Sequence, residues 1–301
     1  MKTAVLHAFF GGVPPWWDIY ILSAGSNPSL DFYYFTDLDL PTHGFPNIKV
    51  VTMTFKEVIK KASKVLGFAV QINTPYKLCD LKPAYGRIFA EWLAPYDFWA
   101  HADVDVFYGD IRCWLTDKLL ARHDIVSCRK HIISGQFTAY RNCEQINELY
   151  MQIPGFQDLV NSPKSNYVDD KWLSGVVKDS VARGSLRFYG EDTLVEDCLS
   201  EIRGRSRLYL NFRDGRITDV VFRREYFMFH FYRSKKRDAF IRSLRPVIES
   251  GGRFYFFQDR LVAKTEGNQW RRLVEVLQAD FRYNLKRFIK SFILRWDSSN
   301  Y

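Results

Sequence analysis

The sequence predicts an α/β fold with a mixed sheet, because strand-like and helix-like segments alternate over its first 230 residues. Two short hydrophobic runs, at residues 4–10 and 32–35, have the length and apolar content of strands buried inside such a sheet. A third run, at residues 97–102, is bulky and apolar enough to be a central strand. We therefore expect a sheet flanked by helices to form the main body of the protein.

A helix is predicted between the second and third of these strands. Pro83 suits the first position of a helix, and Pro95 ends the segment. Between the two prolines, large apolar residues recur at three- and four-residue steps on one helical face: Tyr85, Ile88, Phe89, Trp92 and Leu93. Further strands are predicted at residues 124–128 and 136–140, and a further helix at residues 169–177.

The pattern changes near residue 240. The glycine pair at residues 251–252 and the aromatic segment 253–257 predict a small hairpin. From residue 270 to residue 296, large apolar residues fall at helical spacing, and basic residues fill much of the remainder. The sequence thus predicts a main domain at residues 1–240 and a C-terminal extension at residues 241–301, which holds the hairpin and a basic amphipathic helix.

The composition is that of a folded protein with a large core. Apolar residues make up 47% of the 301 residues and aromatic residues 17%, which excludes disorder of the whole chain. Residues 201–301 hold 23 Lys or Arg against 11 Asp or Glu, so the net charge of +9 originates in this last third. Five cysteines without a CxxC pair indicate reduced, buried thiols. No apolar run approaches the ~20 residues that span a bilayer, so we expect no membrane-spanning helix.

Two carboxylates directly follow the predicted central strand. Side chains two residues apart point the same way in an extended chain, so Asp103 and Asp105 can direct both carboxylates at one point. Mg²⁺ or Mn²⁺ is held in this manner, with water and phosphate oxygens in its other positions. A departing nucleoside diphosphate develops negative charge that such an ion neutralises, so the pair suits sugar transfer. An isolated DxD tripeptide is, however, also common at solvated turns.

The context of this pair is similar to that of a known family. The segment 75–83, the predicted helix and residues 96–99 precede Asp103 and Asp105. This order resembles GT-A glycosyltransferases of the bacterial surface-glycan type, in which a helix precedes the metal-binding strand. The resemblance covers about residues 1–240 and implies a Rossmann-like GT-A domain with a mixed sheet flanked by helices. It also implies Mn²⁺ or Mg²⁺ as cofactor and a nucleoside-diphosphate sugar, in particular a UDP-sugar, as donor.

Later segments follow the order of the same family. The resemblance implies donor-sugar contacts for a small-residue segment made up of Ser134, Gly135 and Gln136. It implies a catalytic role for Asp169 and Asp170 and metal ligation by His230. Lys236 follows His230 by six residues, as in the retaining family-8 galactosyl- and glucosyltransferases, whose lysine holds the diphosphate. Arg233 stands where that family has a glycine, so the assignment could shift to a neighbouring basic residue.

Four further residues are candidates for ligand contacts. Asp37 follows the second predicted strand, and ligands of open α/β sheets bind at the carboxyl ends of strands. Lys77 and Lys82 are candidates for contacts with phosphate or an acidic acceptor. Asp80 is a candidate for contacts with the nucleotide base or ribose. An ordinary surface or loop-capping role is the alternative for all four.

The catalytic candidates also have other interpretations. His230 lies among aromatic residues, where a hydrogen-bonded core histidine is the common case, but two carboxylates favour ligation. Asp169 and Asp170 could instead complement the positive end of a helix. If they act in catalysis, a carboxylate serves as general base in an inverting reaction. In a retaining reaction it stabilises or attacks an oxocarbenium-like centre. The sequence leaves both courses open.

The C-terminal segment has two interpretations. A basic helix with an apolar face of Trp, Phe and Leu is typical of a helix that lies on an anionic membrane. Many bacterial enzymes that build surface polysaccharides act on lipid-linked acceptors, so we would then expect a cytoplasmic protein on the inner face of the cytoplasmic membrane. Alternatively, the apolar face packs against the main domain and the charges are solvated.

Three classes of function compete at this point. The leading one is a glycosyltransferase that moves a hexose-type sugar from a nucleoside-diphosphate donor to a glycan or lipid-linked acceptor. A nucleotidyltransferase on a related scaffold should carry a glycine-rich phosphate loop, of which Gly11 and Gly12 are a poor version. A non-enzymatic membrane or nucleic-acid binder explains only the basic tail. Because no nucleic-acid motif is recognisable, we expect no nucleic-acid partner.

Overall fold

The computed structural model describes residues 1–197, 209–249, 254–257 and 260–263, together with residue 278. The predicted helix over residues 270–296 lies outside these residues, apart from that single position. By its contacts the chain divides into two compact units. The first unit comprises Met1–Val106 and Asp110–Leu194, and the second comprises Phe107–Gly109 and the chain from Val195 onward.

The described residues form fifteen strands. They are β1 (Thr3–Ala8), β2 (Leu30–Thr36), β3 (Ile48–Thr52), β4 (Phe98–Ala102), β5 (Val106–Tyr108), β6 (Ile125–Ser127), β7 (Phe137–Arg141), β8 (Phe188–Gly190), β9 (Leu194–Glu196), β10 (Tyr209–Arg213), β11 (Arg216–Asp219), β12 (Glu225–Tyr226), β13 (Met228–His230), β14 (Phe254–Phe257) and β15 (Arg260–Ala263). The strands predicted near residues 4, 32, 97, 124 and 136 are therefore all present.

The helices of the same residues are mostly short. They are α1 (Trp17–Gly25), α2 (Phe55–Leu66), α3 (Tyr85–Ile88), α4 (Ala90–Leu93), α5 (Ile111–Trp114), α6 (Asp117–Arg122), α7 (Glu144–Asn147), α8 (Phe156–Asn161), α9 (Ser174–Ala182) and α10 (Asp238–Glu249). Within the described part of the chain, none of them has the length and hydropathy needed to cross a bilayer.

A seven-stranded sheet forms the centre of the first unit. Its strand order is β3-β2-β1-β4-β7-β6-β8. Strands β1, β2, β3 and β4 are parallel, whereas β7 runs antiparallel to both β4 and β6. The prediction of an α/β fold with a mixed sheet is confirmed. Because β7 is antiparallel to β4, the start of β7 lies at the same edge of the sheet as the carboxyl end of β4.

The core of the first unit is built around aromatic residues of the central strands. Trp99 of β4 stacks on Tyr140 of β7, with ring centroids 4.3 Å apart. Its indole Nε1 donates a hydrogen bond of 2.7 Å to Asn147 Oδ1. Gly86 leaves room for this pair, because an added Cβ would lie 2.7 Å from Trp99 Nε1 and 2.5 Å from Asn147 Oδ1. The helix α3 can therefore pack closely on the sheet.

The helix predicted from Pro83 takes a different form. A 3₁₀ segment, Pro75–Ala84, contains Pro83, and the α-helical turns α3 and α4 begin only after it. Proline has no N–H and clashes with the preceding turn, so it disfavours a regular α-helix through this segment. The helix predicted at residues 169–177 is also modified, because Val168–Leu173 forms a π-helical turn before α9.

The second unit contains two sheets. Strands β12-β11-β10-β14-β15 form an antiparallel sheet, and β5-β13-β9 form a second, three-stranded sheet. The hairpin predicted after residue 251 is confirmed as β14 paired with β15. Residues 240 and 241, between which the sequence predicts a domain boundary, both lie in α10, and β10 pairs with β14. The division into a main domain and an extension stays a prediction.

The prediction of buried thiols holds for only part of the cysteines. Cys128 is buried, but Cys79 and Cys143 are partly exposed and Cys113 is exposed. All four are free of disulfides, as expected. Cys113 lies in the short helix α5 and its Sγ contacts Asp110 Oδ2 at 3.0 Å, so a polar neighbour replaces the apolar pocket that the sequence suggested. Cys198 lies outside the described residues.

Candidate active site

A buried lysine joins the acidic residues at the carboxyl end of β4. Lys82, from the 3₁₀ segment, donates hydrogen bonds of 2.7 Å to Asp103 Oδ1 and 2.9 Å to the Gly135 carbonyl. Its Nζ also lies 3.6 Å from Asp169 Oδ2. Three of the predicted site segments, around residues 103, 135 and 169, therefore meet at one ammonium group.

The acidic pair of the π-helical turn faces the small-residue segment. The Gly135 N–H donates a hydrogen bond of 2.7 Å to Asp170 Oδ1. An added Cβ at Gly135 would lie 3.1 Å from Asp169 Oδ2, so the lack of a side chain allows this close approach. Asp169 is 3% exposed, and its Oδ2 has no hydrogen-bond partner among the residues that the structure describes. This buried oxygen is thus available to a group that enters the site.

Burial and neighbouring charges set the protonation of this cluster. Burial raises the pKa of the Asp169 carboxyl to about 7, although the Lys82 charge opposes the change. Burial also raises the pKa of Asp170. For Lys82, burial lowers the pKa, but Asp103 and Asp169 outweigh this effect and hold the pKa well above its usual value. Lys82 is therefore charged, and Asp169 can exchange a proton near neutral pH.

A buried histidine fixes the small-residue segment. His101 of β4 donates a hydrogen bond of 3.0 Å from Nε2 to the Ser134 carbonyl. The side chains of Ser134 and Gln136 form a short hydrogen bond with each other. Burial lowers the pKa of His101 well below its usual value, and the Lys82 charge adds to this, so the imidazole is neutral. His101 was not among the residues predicted from the sequence, where its one signal is that it is a histidine in an otherwise apolar strand.

Lys77 and Asp80 form an ion pair with each other. Both are buried, and Lys77 Nζ forms an ion pair with Asp80 Oδ2. Asp80 also accepts hydrogen bonds from the backbone N–H groups of Asn166, at 2.9 Å, and Val168, at 3.2 Å. The pair therefore holds the segment that leads to Asp169. Contact of Lys77 with phosphate or an acidic acceptor, and of Asp80 with the nucleotide base or ribose, stays a prediction.

Asp37 occupies the position that the sequence suggested. It is exposed and follows the last residue of β2, at the edge of the sheet where β1 and β4 also end. Among its neighbours, Thr36 is buried and its hydroxyl accepts a hydrogen bond of 3.1 Å from the Leu38 N–H. The carboxylate of Asp37 is accessible to a ligand, and its role in nucleotide binding stays a prediction.

In the second unit, His230 is oriented by a carboxylate. His230 lies at the end of β13, and its Nδ1 is 2.8 Å from Glu196 Oε1 on β9. Since a carboxylate accepts, the ring donates from Nδ1, and the lone pair lies on Nε2. Strand β13 neighbours β5, which begins directly after Asp105. Glu196 was not among the residues predicted from the sequence, because no local pattern relates it to His230.

Asp103, Asp105 and His230 form a group of side chains that could hold a metal ion. Two carboxylates with one imidazole suit Mn²⁺ or Mg²⁺, since these ions prefer oxygen ligands and Mn²⁺ also accepts imidazole. Lys82 engages only Oδ1 of Asp103, which leaves Oδ2 of the same carboxylate as a ligand. The donor set therefore fits the cofactor that the sequence implied.

The predicted diphosphate ligand lies in a turn held by another acidic residue. Lys236 is exposed in the 3₁₀ turn Ser234–Lys236. Asp197 accepts a hydrogen bond of 3.0 Å from the Arg233 N–H and a short one from the Ser234 N–H. The ammonium groups of Lys235 and Lys236 lie 5.3 and 4.9 Å from the centroid of the Tyr232 ring. Both lysines are close to one ring, so the geometry of this turn does not single out Lys236.

Replacement of Asp169 by asparagine should change how stability depends on pH. The raised pKa means that the folded protein binds the proton of Asp169 more tightly than the unfolded chain does. The wild type should therefore lose stability as the pH rises from about 4 towards 7. Asparagine does not titrate, so the free energy of unfolding of Asp169→Asn should fall less over this range. Urea denaturation in EDTA at several pH values measures the difference, and equal pH dependence of both proteins would contradict the raised pKa.

Solved structures with some similarity to this chain include three glycosyltransferases. Mouse xyloside xylosyltransferase 1, in its apo form, is 12% identical with a TM-score of 0.43, over 79% of this chain and 100% of that chain. The galactosyltransferase LgtC, in complex with donor and acceptor sugar analogues, is 10% identical with a TM-score of 0.45, over 90% and 99%. The glycosyltransferase GlyE of Streptococcus pneumoniae is 12% identical with a TM-score of 0.32, over 66% and 48%. TM-scores below 0.5 do not assign an activity.

Sequence relationships define the family more directly. No curated protein matches the sequence. Residues 5–243 match a family of unknown function, DUF6625, and this match includes every segment of the candidate site described above. Since the match extends over more than half of the chain, the protein belongs to the family DUF6625.

Proposed function

We propose that the protein is a metal-dependent glycosyltransferase of the GT-A type. It moves a hexose-type sugar from a nucleoside-diphosphate donor, in particular a UDP-sugar, to a glycan acceptor. The observation that carries the proposal is the convergence of Asp103, Asp169 and Asp170 around Lys82 at the carboxyl end of β4. Open α/β sheets bind their ligands at this edge, and the site offers both buried carboxylates and a fixed positive charge.

Asp103, Asp105 and His230 would hold the divalent metal ion. The ion supplies positive charge that stabilises the diphosphate as it leaves the sugar. Glu196 supports the metal site by fixing the ring of His230 in the tautomer that keeps Nε2 unprotonated. The path of the chain is consistent with this set, because β5 starts directly after Asp105 and neighbours the strand that carries His230.

Lys236 would bind the diphosphate of the donor. Its ammonium group is exposed, and Asp197 fixes the turn on which it lies. The basic residues next to it, Arg233, Lys235 and Arg237, increase the positive potential that attracts an anionic donor. Asp37 would contact the ribose or base. Ser134, Gly135 and Gln136 would contact the donor sugar.

Asp169 and Asp170 would act on the reacting sugar. The Gly135 N–H binds Asp170, so this carboxylate is held in place, whereas Oδ2 of Asp169 keeps its hydrogen-bonding capacity. In an inverting reaction, one of the two takes the proton of the acceptor hydroxyl. In a retaining reaction, a carboxylate stabilises or attacks the oxocarbenium-like centre. The anomeric configuration of the product, measured by NMR, distinguishes the two courses.

We also propose that the acceptor is lipid-linked and that the basic segment 270–296 brings the protein to the inner face of the cytoplasmic membrane. The support for this comes from the sequence of the segment, which lies outside the described residues apart from position 278. Its apolar residues, including Trp270 and Trp296, are those that enter a membrane surface, and its basic residues match anionic headgroups.

Metal should control the binding of UDP. We expect calorimetry to show much tighter binding of UDP with Mn²⁺ than with EDTA, because a divalent ion held by Asp103 and Asp105 would supply positive charge for the diphosphate. Asp105→Ala should remove this difference. Asp39→Ala, which changes an exposed carboxylate, is the matched control and should keep it. Equal affinity of the wild type for UDP with and without metal would contradict the proposed function.

His230 and Lys236 should matter more for turnover than for ground-state binding. Their contacts strengthen as the leaving diphosphate gains charge, so their loss raises the barrier of the transfer step. We expect His230→Ala and Lys236→Ala to fold normally and to lower the rate of transfer, or of donor hydrolysis, by about a hundredfold or more. Lys235→Ala is the neighbouring control. Full activity of both variants, or an unfolded His230→Ala protein, would refute these roles.

Charge reversal in the C-terminal segment should release the protein from anionic membranes. We expect the wild type to sediment with phosphatidylglycerol liposomes but not with phosphatidylcholine liposomes. Each basic residue near an anionic surface contributes about 1 kcal/mol. The full-length variant with Lys286→Glu, Arg287→Glu and Lys290→Glu should therefore remain in the supernatant. Sedimentation of this variant to the same extent as the wild type would show that these charges do not bind the membrane.

A further inference from the structure

Two tyrosines close to the acidic cluster have exposed rings. Tyr76 is 71% exposed and Tyr167 is 59% exposed, although each lies in a segment whose other residues reach the buried site. Large aromatic side chains generally bury their rings in the core, and scattered exposed ones need no special explanation. Here the two rings belong to segments that pack against each other, Pro75–Ala84 and Val168–Leu173 with the residues before it.

The helical geometry relates Tyr76 to the site. Side chains three residues apart lie above one another in a 3₁₀ helix, so Tyr76, Cys79 and Lys82 share one face of Pro75–Ala84. At one end of this face, Lys82 contacts Asp103 and approaches Asp169. Tyr76 forms the other end. The face therefore leads from the buried ammonium group to an exposed aromatic ring.

The residues from 165 to 169 run alongside this helical face. Ser165 Oγ lies 3.4 Å from Cys79 Sγ, which aligns residue 165 with the middle of the helical face. Asp169 lies opposite Lys82, at the inner end. Burial raises the pKa of the Tyr76 hydroxyl; among the charged groups, Asp103 adds to this rise and Lys82 opposes it. Tyr76 is thus within electrostatic range of the acidic cluster, and Tyr167 precedes Asp169 by two residues.

The backbone of Tyr167 is held in an unfavourable conformation. Its φ of 51° is in the left-handed region, which non-glycine residues seldom adopt. Asp80 binds the N–H groups on both sides of it, at Asn166 and Val168, and its carbonyl accepts a hydrogen bond of 2.8 Å from the Lys171 N–H. Such strain persists where the surroundings fix it, and it is common at ligand sites. The result here is that the ring of Tyr167 points away from the core.

We propose that Tyr76 and Tyr167 form an aromatic platform for a pyranose ring of the acceptor, an inference that rests on the proposed function. A pyranose has an apolar C–H face that packs on an aromatic ring, and its hydroxyl groups can donate to nearby carboxylates. Asp103, Asp169 and Asp170 supply such acceptors at the inner end of the platform. The proposed function assigns the diphosphate to the metal ion and Lys236 and the donor sugar to Ser134, Gly135 and Gln136, so the platform is left for the sugar of the acceptor.

The test measures the binding of simple sugars to the full-length protein. The probes are methyl β-D-galactopyranoside, methyl β-D-glucopyranoside and methyl N-acetyl-β-D-glucosaminide, with sorbitol as an open-chain control. Saturation-transfer difference NMR, in the presence of UDP and Mn²⁺, gives their dissociation constants. The variants are Tyr76→Ala and Tyr167→Gly, since glycine suits the left-handed backbone at residue 167. Tyr76→Phe and Tyr167→Phe keep the rings, and Phe222→Ala changes an exposed aromatic residue of the second unit.

We expect at least one methyl glycoside, but not sorbitol, to bind the wild type with transfer to its ring C–H protons. Tyr76→Ala and Tyr167→Gly should each weaken that binding by about tenfold, which corresponds to ~1.4 kcal/mol. The Phe variants and Phe222→Ala should bind like the wild type. Calorimetry of UDP with Mn²⁺ should be unchanged in every variant. Absence of glycoside binding to a wild type that binds UDP, or equal binding to all variants, would overturn the platform. A wild-type protein that does not bind UDP in the presence of Mn²⁺ would instead overturn the proposed function.

Discussion

The candidate site depends on the buried charge of Lys82. An ammonium group taken out of water is costly unless charged and polar partners surround it, and here Asp103, Asp169 and the Gly135 carbonyl do so. These partners come from the end of β4, the segment before β7 and the π-helical turn. One electrostatic requirement therefore brings together segments that are far apart in the sequence, and it keeps three carboxylates at one edge of the sheet despite their mutual repulsion.

Two different faces of the 3₁₀ segment Pro75–Ala84 contribute to the candidate site. Tyr76, Cys79 and Lys82 share one face, and Lys77 and Asp80 lie on another. The first face reaches the acidic cluster directly. The second face fixes the backbone before Asp169, because Asp80 binds two of its N–H groups. Both the charge that Asp169 faces and the position of Asp169 itself are thus set by the same ten residues.

In the second unit, two adjacent carboxylates also support two different parts of the candidate site. Glu196 ends β9 and orients the ring of His230, while Asp197, the next residue, holds the start of the turn that contains Lys236. Neighbouring side chains of an extended chain point to opposite sides, which is why two adjacent carboxylates can serve two different targets. The two residues that the resemblance selected in this unit are therefore positioned by one acidic pair that the resemblance did not include.

The sequence by itself determined the central strands and the carboxylate pair. Strands β1, β2 and β4 were predictable because strands buried on both faces are continuously apolar, and Asp103 and Asp105 were evident from their two-residue spacing. It did not determine that Lys77 pairs with Asp80, because the helix was predicted to begin only at Pro83, whereas the 3₁₀ segment that brings these two residues together begins at Pro75. Nor did it reveal the contacts of Lys82 or the pairing of Glu196 with His230. Only the tertiary structure decided these, since their partners lie 21 and 34 residues away and no local periodicity relates residues so distant.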